Sequence, residues 1–275
     1  MSPLEAINFQ HDGLRFAGLA AGRGDPLVLL HGGGSRASNF ATLMAHLSKD
    51  FRVYAYDQRG FGATGALPTS DITHQAWAND VDAFLDHIGT KRAFICGWSL
   101  GATVALNYAS LRPERVIALA LLGAPHPNRP INRALFKRRL DLIASGATAA
   151  SVVEQTFSTI AQSFSPWIRA NRPEAIEQVR QEHLSHDIKL AARVVEGYDT
   201  RPDFNEILAK MKCPVHLFVG ADDKNCDLSG AEELQRNLEQ ADITIVPDCG
   251  HYYAVEQPEA VARLMSAALK KKEAA

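Results

Sequence analysis

A serine stands between two glycines in Gly97-Trp98-Ser99-Leu100-Gly101. The residues before it, Ala93-Phe94-Ile95-Cys96-Gly97, read as a buried strand. Those from Leu100 through Ala105 and Tyr108 read as a helix. A G-x-S-x-G at a strand-to-helix junction forces the serine into a sharp, strained turn that lifts its hydroxyl above the sheet. The glycines are required because a side chain on either would collide across the bend. In any other setting the pattern is weak, since Gly- and Ser-containing loops produce it by chance. Here both flanks match, and Ser99 is read as a nucleophile.

A hydroxyl is a poor nucleophile near neutral pH, so an imidazole must take its proton and a buried carboxylate must hold that imidazole in one tautomer. Two downstream segments offer these groups. Pro214-Val215-His216-Leu217-Phe218-Val219-Gly220 reads as a strand, with Ala221-Asp222-Asp223 on the loop after it. Ile243-Thr244-Ile245-Val246 reads as another, followed by Asp248-Cys249-Gly250-His251. Upstream, Pro26-Leu27-Val28-Leu29-Leu30 runs into His31-Gly32-Gly33-Gly34. Alone, that glycine triplet is a flexible turn. Beside Ser99 it becomes a loop whose N–H groups, Gly33 foremost, can meet a carbonyl oxygen as it turns negative. The N–H of Leu100 is the expected second donor.

These residues lie far apart in the chain but all follow strand ends, so a parallel sheet would gather them at one edge. The elements fit such a sheet. Residues 6–20 read as a hairpin turning at Asp12-Gly13. Strands are expected near 26–31, 51–57, 93–98 and 116–123, apolar on both faces as buried parallel strands are. The alternation stops after Gly123 and resumes at Cys213. Between them only helical patterns occur, at 133–143, 149–160, 173–184 and 188–195. The reading is an α/β core of residues 1–126 and 213–275, with 127–212 inserted as a helical cap. Trp98 and His126 are expected to reach the pocket. Phe157, Phe164 and Trp167 are read as cap core or pocket lining, and His183 and His186 as helix-surface positions.

The chain resembles the α/β-hydrolase superfamily, in the branch of single-domain serine hydrolases with a helical cap. The resemblance rests on His31-Gly32-Gly33-Gly34, Asp57-Gln58-Arg59-Gly60-Phe61-Gly62, Gly97-Trp98-Ser99-Leu100-Gly101, Gly220-Ala221-Asp222-Asp223 and Gly250-His251, spread in the family's order over residues 31–251. It implies a mostly parallel central sheet flanked by helices, with Ser99, Asp223 and His251 as catalytic triad. Asp223 is chosen as the fourth residue of G-x-x-D, and Asp222 stays open as the alternative. Asp57 and Arg59 belong to a turn read as structural. Related dehalogenases and epoxide hydrolases carry an aspartate where Ser99 stands, which argues against both activities. The expected reaction is hydrolysis of a small-molecule carboxylic ester or lactone through an acyl-enzyme. Alternatives on the same fold are a carbon–carbon hydrolase of ring-fission diketones, a cofactor-free perhydrolase and a slow-turnover ligand receptor.

Composition agrees with an enzyme of this type. The 275 residues carry 29 Lys and Arg against 31 Asp and Glu, a formal charge of −2, which makes no electrostatic case for nucleic acid or an anionic membrane. Lys137-Arg138-Arg139 and Lys270-Lys271-Lys272 are read as solvated helix faces. Neither a signal peptide nor a membrane span is evident, so a cytoplasmic location is expected. Cys96, Cys213, Cys226 and Cys249 lack metal-ligand spacing. No cofactor and no metal are expected, and nothing in the chain specifies an oligomeric state.

Overall fold

The structure is a computed structural model that describes residues 3–125 and 133–270. Asp12 and Gly13 both take positive φ, 50° and 72°, the conformation whose twist suits a two-residue hairpin. They join β1 (Glu5–His11) to β2 (Leu14–Ala21), and β2 pairs antiparallel with β4 (Arg52–Tyr56). β1 and β2 also pair antiparallel, and the remaining pairings are parallel. β3 (Pro26–Leu30) lies between β4 and β5 (Ala93–Trp98). β6 (Val116–Leu122), β7 (Val215–Gly220) and β8 (Ala241–Val246) follow, giving the order β1-β2-β4-β3-β5-β6-β7-β8. The chain leaves β3 on one side and returns to β5 on the other. The C-terminal ends of β3 and β5 therefore adjoin where the winding reverses, which is where an α/β sheet opens a crevice. Leu30 is in register with Gly97, so the glycine loop and the Ser99 turn leave the sheet side by side.

Alternation along the strands feeds two cores. Leu27 and Leu29 point into the layer that holds α1 (Ala41–Leu47) and α12 (Pro258–Lys270); Val28 and Leu30 point into the layer of α2 (His74–His87) and α3 (Leu100–Leu111). Every residue of β5 and β7 is buried. Each large apolar side chain withdrawn from water in this way contributes about 1.5–3 kcal/mol. That is why these strands read as apolar runs, interrupted in β7 by His216, whose Nδ1 lies 2.8 Å from Asp242 Oδ1.

Between β6 and β7 the described chain is helical: α4 (Arg133–Ala144), α5 (Ala149–Ala161), α6 (Pro166–Asn171), α7 (Pro173–Leu184), α8 (Ile188–Tyr198) and α9 (Phe204–Leu208). Local chemistry sets the starts. Thr148, Ser165, Asp187 and Asp203 each accept a first-turn N–H, and Pro166 and Pro173 occupy first helical positions. The short helices α6 and α9 lack a periodic apolar pattern and were not expected. After β7 come α10 (Leu228–Arg236) and α11 (Tyr253–Glu256). Among the described residues no helix is long and apolar enough to cross a membrane.

Candidate active site

Ser99 sits at φ 52° and ψ −111°, a conformation costing an L-residue about 1–3 kcal/mol. The elbow is over-determined by contacts on all sides. A Cβ on Gly97 would run into the carbonyl of Gly101, and one on Gly101 into the carbonyl of Leu30. Ser99 N–H donates to Leu122 O at 3.0 Å, fixing the turn to the neighbouring strand. Leu100 opens α3, so its N–H belongs to the first turn, whose donors have no partner within the helix.

His251 and Asp223 form a buried pair with Nδ1 and Oδ2 2.8 Å apart. Asp223 Oδ1 accepts the N–H groups of Asn225 (2.9 Å) and Cys226 (3.0 Å), and Oδ2 also accepts the Tyr253 hydroxyl (3.0 Å). Asp222 is half-buried, and among the described residues its bond is a backbone one, from its N–H to Cys249 O. Burial pushes the Asp223 carboxyl up, but the charge and hydrogen bond of His251 and the two N–H donors outweigh it and hold the pKa below its ordinary value. Burial likewise pushes the His251 imidazolium down, and Asp223 with Glu256 reverses the sign, leaving the pKa raised. The pair packs over Gly123, where a Cβ would stand 3.0 Å from Asp223 Oδ2 and 3.2 Å from His251 Nδ1. Gly123 follows the Leu122 that holds Ser99, and Trp98 Nε1 donates to His251 O at 2.7 Å. Ser99, Asp223 and His251 thus all lie on loops that leave the C-terminal ends of the sheet's strands.

Two cap residues brace the same loops. Ser163 O accepts the His251 N–H at 2.7 Å, while Ser163 Oγ accepts from Asn225 Nδ2 at 2.7 Å. The carboxylate of Glu256 gathers the N–H groups of Ser165, Gly250 and Tyr252.

The glycine loop is fixed through His31. Its Nδ1–H donates to Gly32 O (2.8 Å) and its Nε2 accepts from Gln58 N–H (3.0 Å), while Gln58 Nε2 donates to His31 O (2.7 Å). Burial pushes the His31 pKa down, which preserves this neutral tautomer. Beneath it, Asp57 accepts from Ala37 N and Ala63 N at 2.7 Å. Arg59, buried, grips Asp80 with Nε and Nη2 at 2.7 and 2.6 Å. Both residues hold loops in place and neither faces the reacting edge.

Ser99, Leu100, Gly33 and Gly34 line a cavity of about 720 Å³ roofed by α4, α5 and α8. The hydroxyl of Tyr198 lies against Gly33, and His183 packs on Gly34. A family model described as "Alpha/beta hydrolase family" matches residues 27–264. The chain belongs to that family. The protein named "Putative carbamate hydrolase RutD" of Caulobacter sp. (strain K31) is 30% identical over 239 residues, covering 85% of this chain and 86% of that one. A 2-hydroxy-6-oxo-6-phenylhexa-2,4-dienoate hydrolase of Comamonas testosteroni is 27% identical, covering 89% and 87%. Among solved structures, a thermophilic esterase from Thermogutta terrifontis superposes with a TM-score of 0.82 at 27% identity, covering 97% and 98%.

Several features of this α/β hydrolase differ from the sequence expectation. Trp98 does not line the cavity: its ring is buried behind His251, because the indole N–H is committed to the His251 carbonyl. Trp167 is 52% exposed, neither core nor lining. Phe157 and Phe164 are core. His183 and His186 face the cavity rather than solvent, and so does Arg139, the last of the basic triplet, whose neighbours Lys137 and Arg138 are exposed. Leu135, Arg139 and Ile143 recur every fourth residue, which is the one local hint that Arg139 lies on an inward face. His126 lies outside the described residues. All four cysteines are buried, and none forms a disulfide among the described residues. Ligand atoms of Asp223, Cys226 and His251 do lie within 4.8 Å of one another. However, two of these residues are already bonded to each other, and burial with Asp223 and Asp227 pushes the Cys226 thiol well above its ordinary pKa, so it offers no thiolate.

Proposed function

We propose that this chain is a serine hydrolase that cleaves a carboxylic ester or lactone through an acyl-enzyme. Ser99 Oγ attacks the carbonyl carbon while His251 Nε2 takes its proton. Asp223 accepts from Nδ1–H and stabilises the imidazolium. The N–H groups of Gly33 and Leu100 hold the oxyanion. His251 then protonates the leaving oxygen, activates water and returns the proton to Ser99 as the acyl group departs. The observation carrying this reading is the buried 2.8 Å Asp223–His251 pair beside a serine held at φ 52°. Residues 127–212 act in this reading as a cap that selects substrate, since the cavity's roof comes from them.

Fluorophosphonate labelling tests the assignment. The probe should modify Ser99 alone, and Ser99→Ala should lose label and about 10⁴- to 10⁶-fold in kcat while keeping its melting temperature. A label retained in Ser99→Ala overturns it. Carbon–carbon hydrolysis of a ring-fission diketone is a second reading, favoured by the similarity to the Comamonas enzyme. A panel of esters, lactones, carbamates and ring-fission diketones ranked by kcat/KM separates the two, and a single slow turnover on all of them would point to a receptor.

A further inference from the structure

The cavity that Ser99 opens into is walled largely by apolar side chains such as Val152, Val153, Leu190 and Val194, yet two arginines enter it. Arg139 donates from Nη2 to His183 Nδ1 (3.4 Å) and from Nε to Thr156 Oγ1 (3.3 Å), both neutral acceptors. Arg36 donates from Nη2 to Ser185 Oγ at 2.8 Å, and its Nε is buried with no partner among the described residues. Neither guanidinium has a carboxylate within ion-pair distance among the described residues. The one acidic side chain among the described lining residues, Asp187, is exposed and already caps α8 through the N–H groups of Lys189 and Leu190. His186 also lines the cavity, and its Nε2 is a second buried polar atom with no partner there. The polar wall starts beside the glycine loop, since His183 lies on Gly34.

Arg36 and Arg139 are each half-buried. A cation partly withdrawn from water and facing only neutral groups is stabilised when an anion completes it, and guanidinium geometry matches a carboxylate through paired N–H bonds. We propose that Arg139 and Arg36 form a carboxylate subsite, so that the substrate carries a second, ionised carboxyl group remote from the bond cleaved by Ser99. His186 Nε2–H is its third donor. Burial, followed by the charges of Arg36 and Arg139, lowers the His186 pKa to about 4, so this imidazole is neutral at pH 7 and the two arginines supply the positive charge. For Arg139 burial is the dominant influence and pushes its pKa down, the direction expected of a desolvated cation without an anion. The proposal rests on the serine-hydrolase reading and adds the substrate's charge to it.

The test uses matched pairs on the full-length protein: monomethyl against dimethyl adipate, and 4-acetoxybutyrate against its methyl ester, with 3-acetoxypropyl phosphate as the phosphate arm. Wild type should prefer the carboxylate member of at least one pair by about 10-fold or more in kcat/KM. Arg139→Gln and Arg36→Gln should each reduce that preference by about 10- to 100-fold, the scale of a lost charge-assisted hydrogen bond. Adipate titrated into Ser99→Ala protein gives a readout independent of turnover, and its binding should weaken in the Ser99→Ala/Arg139→Gln and Ser99→Ala/Arg36→Gln proteins. Equal or better hydrolysis of the neutral members overturns the proposal. So does a preference unmoved in both arginine variants when these melt and label like wild type, or a stronger preference for the phosphate arm. Should Arg139→Gln fail to fold, Arg139→Lys takes its place. Loss of labelling at Ser99 with adipate binding intact would sink the serine-hydrolase reading while leaving the anion site standing.

Discussion

Asp223→Asn probes the proposed mechanism at one atom. Oδ1 of Asp223 accepts two backbone N–H groups, and Oδ2 accepts from His251 Nδ1 and the Tyr253 hydroxyl. In the amide, the backbone donors keep the oxygen at Oδ1, so the NH₂ takes the place of Oδ2. It then points a donor at His251 Nδ1 and forces the proton to Nε2, the nitrogen that must accept from Ser99. A wrong tautomer of this kind costs about 10⁴ in kcat, about 5.4 kcal/mol at 1.36 kcal/mol per decade. The same change removes the charge that raises the His251 pKa. Acylation needs neutral imidazole, so the acid limb of kcat/KM in wild type should lie above the ordinary value of 6.5 and move to lower pH in the variant. Stopped-flow turnover of an activated ester across pH 5–9, alongside thermal melts, reads both effects. A folded Asp223→Asn enzyme within about 10-fold of wild type, with collapse in Asp222→Asn, would refute the assignment.

Other substitutions test the supporting structure. Tyr253→Phe removes a donor to Asp223 and the acceptor of the Gly220 N–H, and should cost about 1–3 kcal/mol in urea unfolding together with a drop in kcat. Asp80→Ala removes the buried partner of Arg59 and leaves its guanidinium only the Nη1 bonds to Asp12 and the Asp71 carbonyl, so it should destabilise by about 3 kcal/mol in the same assay. Val153→Ala enlarges the cavity wall and should reorder acyl-chain preference in kcat/KM, whereas Trp167→Ala, at an exposed site, should change stability by no more than about 0.5 kcal/mol.

What could be read from the chain follows the range of the forces involved. β5 and β7 are apolar on both faces, and Gly97 and Gly101 mark the elbow that any serine between them would occupy. Asp12-Gly13 encodes its hairpin through positive φ alone. The choice of Asp223 over its neighbour needed the resemblance, since nothing local distinguishes adjacent aspartates. The cap was legible as helices but not as surfaces. Arg139 meets His183 across 44 residues, so its inward direction depends on how α4 and α7 fold against each other. The position of Trp98 behind His251 rather than on the cavity wall has a similar cause, because its partner carbonyl lies 153 residues away. Tyr253 gave no signal, being one more aromatic beside a histidine.

The bonds made by Ser163 bear on how such an enzyme can be re-engineered. One residue of the inserted segment holds the histidine loop by its carbonyl and the aspartate loop by its hydroxyl. Grafting a foreign roof onto this core would therefore exchange part of the frame that aligns the proposed His251–Asp223 proton-transfer pair along with the pocket walls. A chimera that retains 163–165 and replaces only the helices on either side would keep that frame, and loss of turnover in a full swap would be a misalignment of His251 rather than a failure to admit substrate.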